Sequence, residues 1–225
     1  MVERHGEYLE ALGVTLYRPR TVPPTPATRS DAVAVRPAAP GWEPLEAEVR
    51  GCRRCGLCES RTQTVFGVGD RAARLMVVGE APGADEDRQG EPFVGRAGQL
   101  LNSMLRAAGF RRDQVYIANI LKCRPPGNRD PQPAEVAQCL PYLRRQIELA
   151  KPALILCVGR IAAQNLLATE APIGRLRGSV HRPSWGPPVV VTYHPAYLLR
   201  SPGEKRKSWD DLKLALGVLR DGHGA

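Results

Sequence analysis

The chain has 225 residues, enough for one domain of ordinary size with appendages. Hydrophobic residues make up 43% of it, which excludes global disorder, and no apolar run approaches the roughly 18 residues of a membrane span. Lys and Arg outnumber Asp and Glu by 32 to 23, a net charge of +9 that favours polyanionic partners, although a merely soluble basic surface carries the same balance.

The first residues, Met1 to Glu7, lack the apolar core of a secretory signal, so a cytoplasmic protein is expected. Residues 8–16 suit one short helix. Pro23, Pro24, Pro26, Pro37 and Pro40 forbid a regular helix over 22–40 and predict a flexible, partly polyproline linker. Residues 1–41 are therefore assigned to an extension and 42–225 to the folded domain. Residues 42–49 suit a helix leading into Cys52, Cys55 and Cys58, and residues 65–67 lead toward the first strand.

Leu75 to Val78 is an apolar run ending at Gly79, suited to a strand buried on both faces of a parallel sheet. A polar loop rich in Gly and Pro follows over 80–95. Ala97, Leu100, Leu101, Met104, Leu105 and Ala108 then recur at helical spacing. Ligands of open α/β sheets bind beyond the carboxyl ends of strands, where this loop would lie. Its acidic residues and the absence of a Gly-x-x-x-x-Gly-Lys run argue against a nucleoside-triphosphate cradle. A second strand is predicted over 115–120 and a helix from Pro133, with Val136, Leu140, Leu143, Ile147 and Leu149 on its apolar face. A third buried strand spans 153–159, and a short helix 161–167. Strands over 175–180 and 189–193 flank a turn, and a helix closes the chain over 205–219. Strands alternating with helices predict a parallel sheet covered on both faces.

Six cysteines occur in a chain without a visible export signal, where a metal or cluster is commoner than a disulfide. Cys52-x-x-Cys55 is a chelating pair. Cys123 and Cys139 form a second pair that helix packing can bring together. Four thiolates suit tetrahedral zinc or a 4Fe–4S cluster, and spacing does not choose. Cys157 lies in a buried strand and reads as a small apolar residue. Cys58 is a rival ligand, since Cys55-x-x-Cys58 also has chelating spacing.

Two long motifs carry a resemblance. Gly79-Glu80-Ala81-Pro82-Gly83, Glu86-Asp87 and Pro92-Phe93-Val94-Gly95-Arg96-Ala97-Gly98 resemble the first motif of type-4 uracil-DNA glycosylases, the iron–sulfur branch of their superfamily. His194-Pro195-Ala196-Tyr197-Leu198-Leu199-Arg200 resembles the second. The likeness runs from about Cys52 to Leu219. It implies a three-layer α/β/α fold with a central, mainly parallel four-stranded sheet. It also implies a 4Fe–4S cluster on Cys52, Cys55, Cys123 and Cys139. That cluster would be structural, with Arg53, Arg54, Lys122 and Arg124 around it able to approach DNA phosphates.

The resemblance also implies site roles. An enzyme acting on a base must flip it into a pocket. Phe93 would stack on the uracil ring. The Asn119 carboxamide would accept from N3–H and donate to O4. His194 would donate to O2 as negative charge grows there. Glu80, Ala81 and Glu86 would also line the pocket. Other branches place an Asp where this chain has Ala81, so Glu80 first and Glu86 second are the candidate carboxylates for the sugar cation or its water. Leu198 would be the wedge that fills the gap in the duplex, with Tyr197 and Leu199 as rivals. Arg200, Lys205, Arg206, Lys207 and Arg160 would face phosphates.

The expected activity is hydrolysis of the N-glycosidic bond of deoxyuridine in single- or double-stranded DNA by a monomer, as in base excision repair, with no membrane involved. Chain nicking is not expected, because no pocket motif offers a Schiff-base lysine; Lys122 is the nearest. Two alternatives are a covalent uracil-DNA binder and a non-enzymatic metal-stabilised nucleic-acid binder. The first would need a histidine between Cys123 and Gln138, and there is none. The second does not account for Phe93, Asn119 and His194 together.

Overall fold

The structure, a computed structural model, describes residues 41–221. The expected short helix and linker of the extension, and most of the extension itself, lie outside the described residues. In chain order the helices are α1 (Trp42–Arg50), α2 (Leu57–Ser60), α3 (Ala84–Gln89), α4 (Arg96–Ala107), α5 (Pro133–Ala150), α6 (Arg160–Leu167), α7 (Ile173–Leu176), α8 (Pro195–Arg200) and α9 (Lys205–Asp221). The strands are β1 (Val68–Gly69), β2 (Leu75–Gly79), β3 (Tyr116–Asn119), β4 (Leu154–Val158), β5 (Val180–His181) and β6 (Val189–Thr192).

They form one sheet in the order β1-β3-β2-β4-β6-β5. The inner strands β3, β2, β4 and β6 are mutually parallel, and the two-residue edge strands β1 and β5 are antiparallel to their neighbours. The expected four-stranded parallel sheet is thus the core of a six-stranded one. The edges are short, as natural sheet edges tend to be.

Side-chain alternation divides the strands between two cores. Met76, Val78, Tyr116, Ala118, Ile155, Cys157, Val189 and Val191 face α1, α5, α6 and α7, through Leu45, Val49, Leu143, Ile147, Ala163 and Leu176 among others. Leu75, Val77, Ile117, Leu154, Leu156, Val158 and Val190 face the other way, onto Leu101 and Leu105 of α4 and Leu212, Ala215 and Leu219 of α9. Every residue of β2 and β4 is buried, which is why those segments are continuously apolar instead of alternating. The result is the three-layer α/β/α arrangement.

Some expected elements change. Most of 175–180 is not strand: α7 ends at Leu176 and only Val180–His181 pairs with β6. Gly178 turns the chain there at φ +76°, and Arg177 is drawn away by a salt bridge to the buried Asp211 at 2.9 Å. The predicted loop over 80–95 contains α3, and the second motif contains α8, which starts directly after His194.

Along the sheet the connections lead from β2 outward to β3 on one side and to β4 and β6 on the other. The strand order therefore switches between β2 and β4. Open α/β sheets form their ligand crevice at the carboxyl ends of strands beside such a switch.

Candidate active site

All four parallel strands deliver a site residue from their carboxyl ends. Glu80 follows β2, Asn119 ends β3, Arg160 opens α6 two positions after the end of β4, and His194 lies two positions after the end of β6. Parallel register sets Gly79 beside Asn119 and Val158 beside Thr192. A cavity of about 440 Å³ opens there. Glu80, Ala81, Glu86, Phe93, Asn119, His194 and Arg200 all line it, so the structure brings together every pocket residue singled out from the sequence. Asn128 and Arg129 line it too, and nothing in their local sequence marked them.

Phe93 is held in an unusual conformation. Its φ of 56° lies in the left-handed region, uncommon for a bulky residue. Arg112 fixes this turn by donating to the carbonyls of Pro92 and Phe93. Two glycines make room for it. A Cβ on Gly79 would stand 2.5 Å from Phe93 Cζ and 2.4 Å from Asn119 Oδ1; one on Gly98 would stand 1.8 Å from the Phe93 carbonyl oxygen. Gly98→Ala should therefore displace the Phe93 turn from α4. A loss of roughly 2–4 kcal/mol in denaturant unfolding, with uracil binding lost, is expected; a fully stable variant would contradict this close approach.

Asn119 is 2% exposed, and its Oδ1 is a buried acceptor with no hydrogen-bond partner among the described residues. Such an orphan costs about 1–3 kcal/mol, so its persistence at a cavity wall points to a ligand donor. The Asn119 carbonyl is tied from behind by Lys122 Nζ at 2.8 Å. Lys122 also donates to Gln146 Oε1 at 2.6 Å, and Gln146 donates to Tyr116 Oη and the Phe66 carbonyl. Lys122 is fully enclosed, its pKa pushed down to about 8 by burial, and it does not line the pocket. The lysine nearest the motifs is a strut behind the Asn119 strand end.

His194 caps α8, its Nδ1 accepting from Ala196 N–H at 3.1 Å. That bond leaves the proton on Nε2. Burial first, then the Arg200 charge, pushes its pKa down to about 4, with Glu86 opposing. The ring is a neutral donor at neutral pH. It lies 5.7 Å from the Phe93 ring, centroid to centroid, with the planes 33° apart. Gly159, at φ +100°, allows this packing, since a Cβ there would come 3.1 Å from His194 Cβ.

The two carboxylates differ in kind. Glu86 Oε1 accepts from Val94 and Gly95 N–H at 3.0 and 3.1 Å, and its Oε2 accepts from Gly83 N–H at 3.0 Å. It clamps both ends of the pocket loop, so the second candidate for the acid role is a structural staple. Glu80 has its backbone carbonyl bonded to Leu121 N–H at 3.0 Å, while its carboxyl group makes no hydrogen bond to the described residues. Burial first, then Asp130, pushes its pKa up to about 7, with Arg160 opposing.

The wedge expectation needs correction. Leu198 is 1% exposed and faces α4 and α9, beside Leu100, Met104 and Leu212. In α8 the inward face takes Pro195 and Leu198, three positions apart, so Tyr197 and Leu199 point outward, 36% and 38% exposed.

Cys52, Cys55, Cys58, Cys123 and Cys139 line one cavity on the α1–α5 side, and Cys157 is buried in β4, away from it. Arg61 donates to Cys123 Sγ at 3.0 Å and to the Cys52 carbonyl at 2.8 Å, and Lys122 N–H donates to Cys139 Sγ at 3.2 Å. Among the described residues no three His, Cys, Asp or Glu side chains converge as a single metal ion requires. A cluster brings its own iron and sulfide atoms between the thiolates, so its ligands stand farther apart than those of one ion. Four of these cysteines are the donors that could hold a metal or a cluster, and the N–H bonds to sulfur would orient them for either. Arg61 had no visible signal in the sequence.

The sequence model of the uracil DNA glycosylase superfamily matches residues 66–213. A protein named type-4 uracil-DNA glycosylase from Archaeoglobus fulgidus is 49% identical over 173 residues, covering 74% of this chain and 87% of its own. One of the same name from Thermotoga maritima is 43% identical over 160 residues, covering 71% and 83%. A type-5 uracil-DNA glycosylase from Pyrobaculum aerophilum is 34% identical over 149 residues, covering 58% and 64%.

Proposed function

The chain belongs to the uracil-DNA glycosylase superfamily, and from that premise we propose that it is a DNA repair enzyme that hydrolyses the N-glycosidic bond of deoxyuridine in DNA, releasing uracil and leaving an abasic site. The observation that carries this reading is the orphaned acceptor of Asn119 in one cavity with Phe93 and the neutral His194. In this reading a flipped uracil stacks on Phe93. Asn119 Oδ1 accepts from N3–H and its amide donates to O4. As the glycosidic bond breaks, electrons pass to the base, and His194 Nε2–H donates to the O2 that gains charge. The sugar is left as an oxocarbenium-like cation. Ionised Glu80 stabilises it and orients the attacking water, whose oxygen bonds to C1′ as its proton passes to Glu80, and the uracil anion gains a proton from solvent on release. Leu199 or Tyr197 fills the space left in the helix, and Arg200 and Arg160 hold phosphates.

The reading covers a monomeric, cytoplasmic enzyme whose active unit is residues 42–225, working on single- or double-stranded DNA. No described helix is long and apolar enough to cross a membrane. A covalent DNA trap is not favoured, since the segment after β3 carries no histidine and the type-4 relatives are named as glycosylases. The test is release of free base from oligonucleotides holding uracil, cytosine or thymine at one position. Release from uracil alone supports the reading; a stable protein–DNA adduct on a denaturing gel, or no release, overturns it.

The cysteine ring would hold a 4Fe–4S cluster on Cys52, Cys55, Cys123 and Cys139, as the type-4 class implies. The cluster would supply a cross-link between the segment after α1 and the segment from β3 into α5. Anaerobically purified protein should be brown, with broad absorption near roughly 400 nm and about four irons per chain. Cys123→Ala should lose colour and stability together, while Cys157→Ala keeps the colour. Colourless protein with one zinc per chain would refute the assignment.

A further inference from the structure

Glu80 faces two chambers. One is the pocket just described. The other, of about 410 Å³, adjoins it and is lined by Glu80, Asp130, Arg160, Tyr193 and Tyr197 among others. Across its wall Arg160 Nη2 meets Asp130 Oδ2 at 3.2 Å, and Gln164 holds the same guanidinium at 3.2 Å. Arg160 opens α6 just beyond the end of β4, and Asp130 lies on the segment leading into α5.

Other titratable and charged groups line the same walls. Glu86, on α3, accepts three backbone N–H bonds. Arg129 is held by Glu135 at 2.5 Å. His194, ahead of α8, is neutral, and Arg200, at the end of α8, lines both chambers and helps to hold the His194 pKa down. Asp130 and Arg160 are the charges that act on Glu80, Asp130 in the same sense as the larger effect of burial and Arg160 against it. A carboxyl group without hydrogen bonds, half enclosed at the end of a buried strand, has little else to set its charge.

We propose that Asp130 and Arg160 are positioning residues that together set the ionisation of Glu80, keeping its charged form accessible at neutral pH. Arg160 favours the carboxylate and Asp130 opposes it, and their mutual ion pair keeps either from dominating. The proposal rests on Glu80 being the carboxylate that meets the sugar cation, so the ionised form is the active one and the rate rises with pH through its titration.

The experiment is single-turnover uracil release, with protein in excess over a uracil oligonucleotide, followed from pH 5 to 9. Wild type should show an acid limb near neutrality, and Glu80→Gln should erase it. Arg160→Gln should move the limb to higher pH and Asp130→Asn to lower pH, each by roughly 0.3–1 unit, the scale left to half-exposed charges after solvent screening. Arg160→Lys should restore the wild-type position. A merely structural ion pair would instead weaken both variants alike without moving the limb. Shifts of the same sign, no shift in either variant, or a limb that survives Glu80→Gln would overturn the proposal. If wild type releases no uracil, the functional reading fails separately. The Glu80 titration is then followed by carboxyl carbon-13 resonances in the labelled full chain, where the same opposite shifts must appear.

Discussion

Asn119→Ala should lower kcat/KM for uracil excision about a thousandfold while leaving the protein folded and the cysteine site loaded. The side chain is buried and its Oδ1 has no partner in the protein, so truncation removes an acceptor that only the base satisfies. Uracil offers a donor at N3 and an acceptor at O4; cytosine offers the reverse. A carboxamide fixed in one orientation pairs with the first and opposes the second at both atoms, a difference on the order of several kcal/mol. Wild-type protein should therefore ignore cytosine. Asn119→Asp should also lose most uracil excision, because an ionised carboxylate accepts from N3–H but cannot donate to O4. When protonated it can donate to cytosine N3 and accept from the amino group, so a slight cytosine activity that grows as pH falls is expected. Excision rates on matched uracil and cytosine oligonucleotides check all three proteins. Near wild-type uracil rates in folded Asn119→Ala would remove Asn119 from base reading.

His194→Ala should cut kcat by about 100- to 1000-fold with little change in KM, because its bond to O2 strengthens only as charge develops there. His194→Gln, which keeps an N–H donor, should recover part of the loss. The pH dependence separates the mechanisms by sign. A catalytic imidazolium would make the rate fall as pH rises through about 6.5, the ordinary histidine value. Here Nδ1 already accepts from Ala196 N–H and burial holds the pKa near 4, so the neutral ring is the active form. No falling limb should appear between pH 5 and 8. The limb expected is the rising one from Glu80, whose pKa is pushed up to about 7. A falling limb near 6.5 that disappears in His194→Ala would show that the charged ring does the work.

The sequence by itself determined the parts whose information is local or periodic. Leu75 to Gly79 and residues 154–158 are apolar throughout because both faces of those strands meet helices, so their burial was legible without coordinates. The helices α4 and α5 were legible from their apolar spacing and, for α5, from Pro133 at its first turn. The pocket residues were legible through the resemblance, with Glu80, Ala81, Glu86, Phe93 and His194 in its two motifs and Asn119 at the end of a predicted strand, and Cys52 with Cys55 because chelation needs short separation.

Tertiary structure decided what depends on direction and on partners distant in the chain. The motif puts Leu198 first as the wedge, ahead of Tyr197 and Leu199, but helix rotation buries Leu198 against α4 and α9 and leaves its neighbours outside. Glu80 and Glu86 look alike as residues. Only the folded loop shows that Glu86 is saturated by backbone N–H groups from Gly83, Val94 and Gly95 while Glu80 stays free to titrate. The Asp130–Arg160 pair joins residues thirty positions apart, and Arg61 reaches Cys123 across sixty-two. Such contacts have no signature in one chain read along its length. They arise because a parallel sheet gathers the carboxyl ends of separate strands at one rim, whatever their distance in sequence.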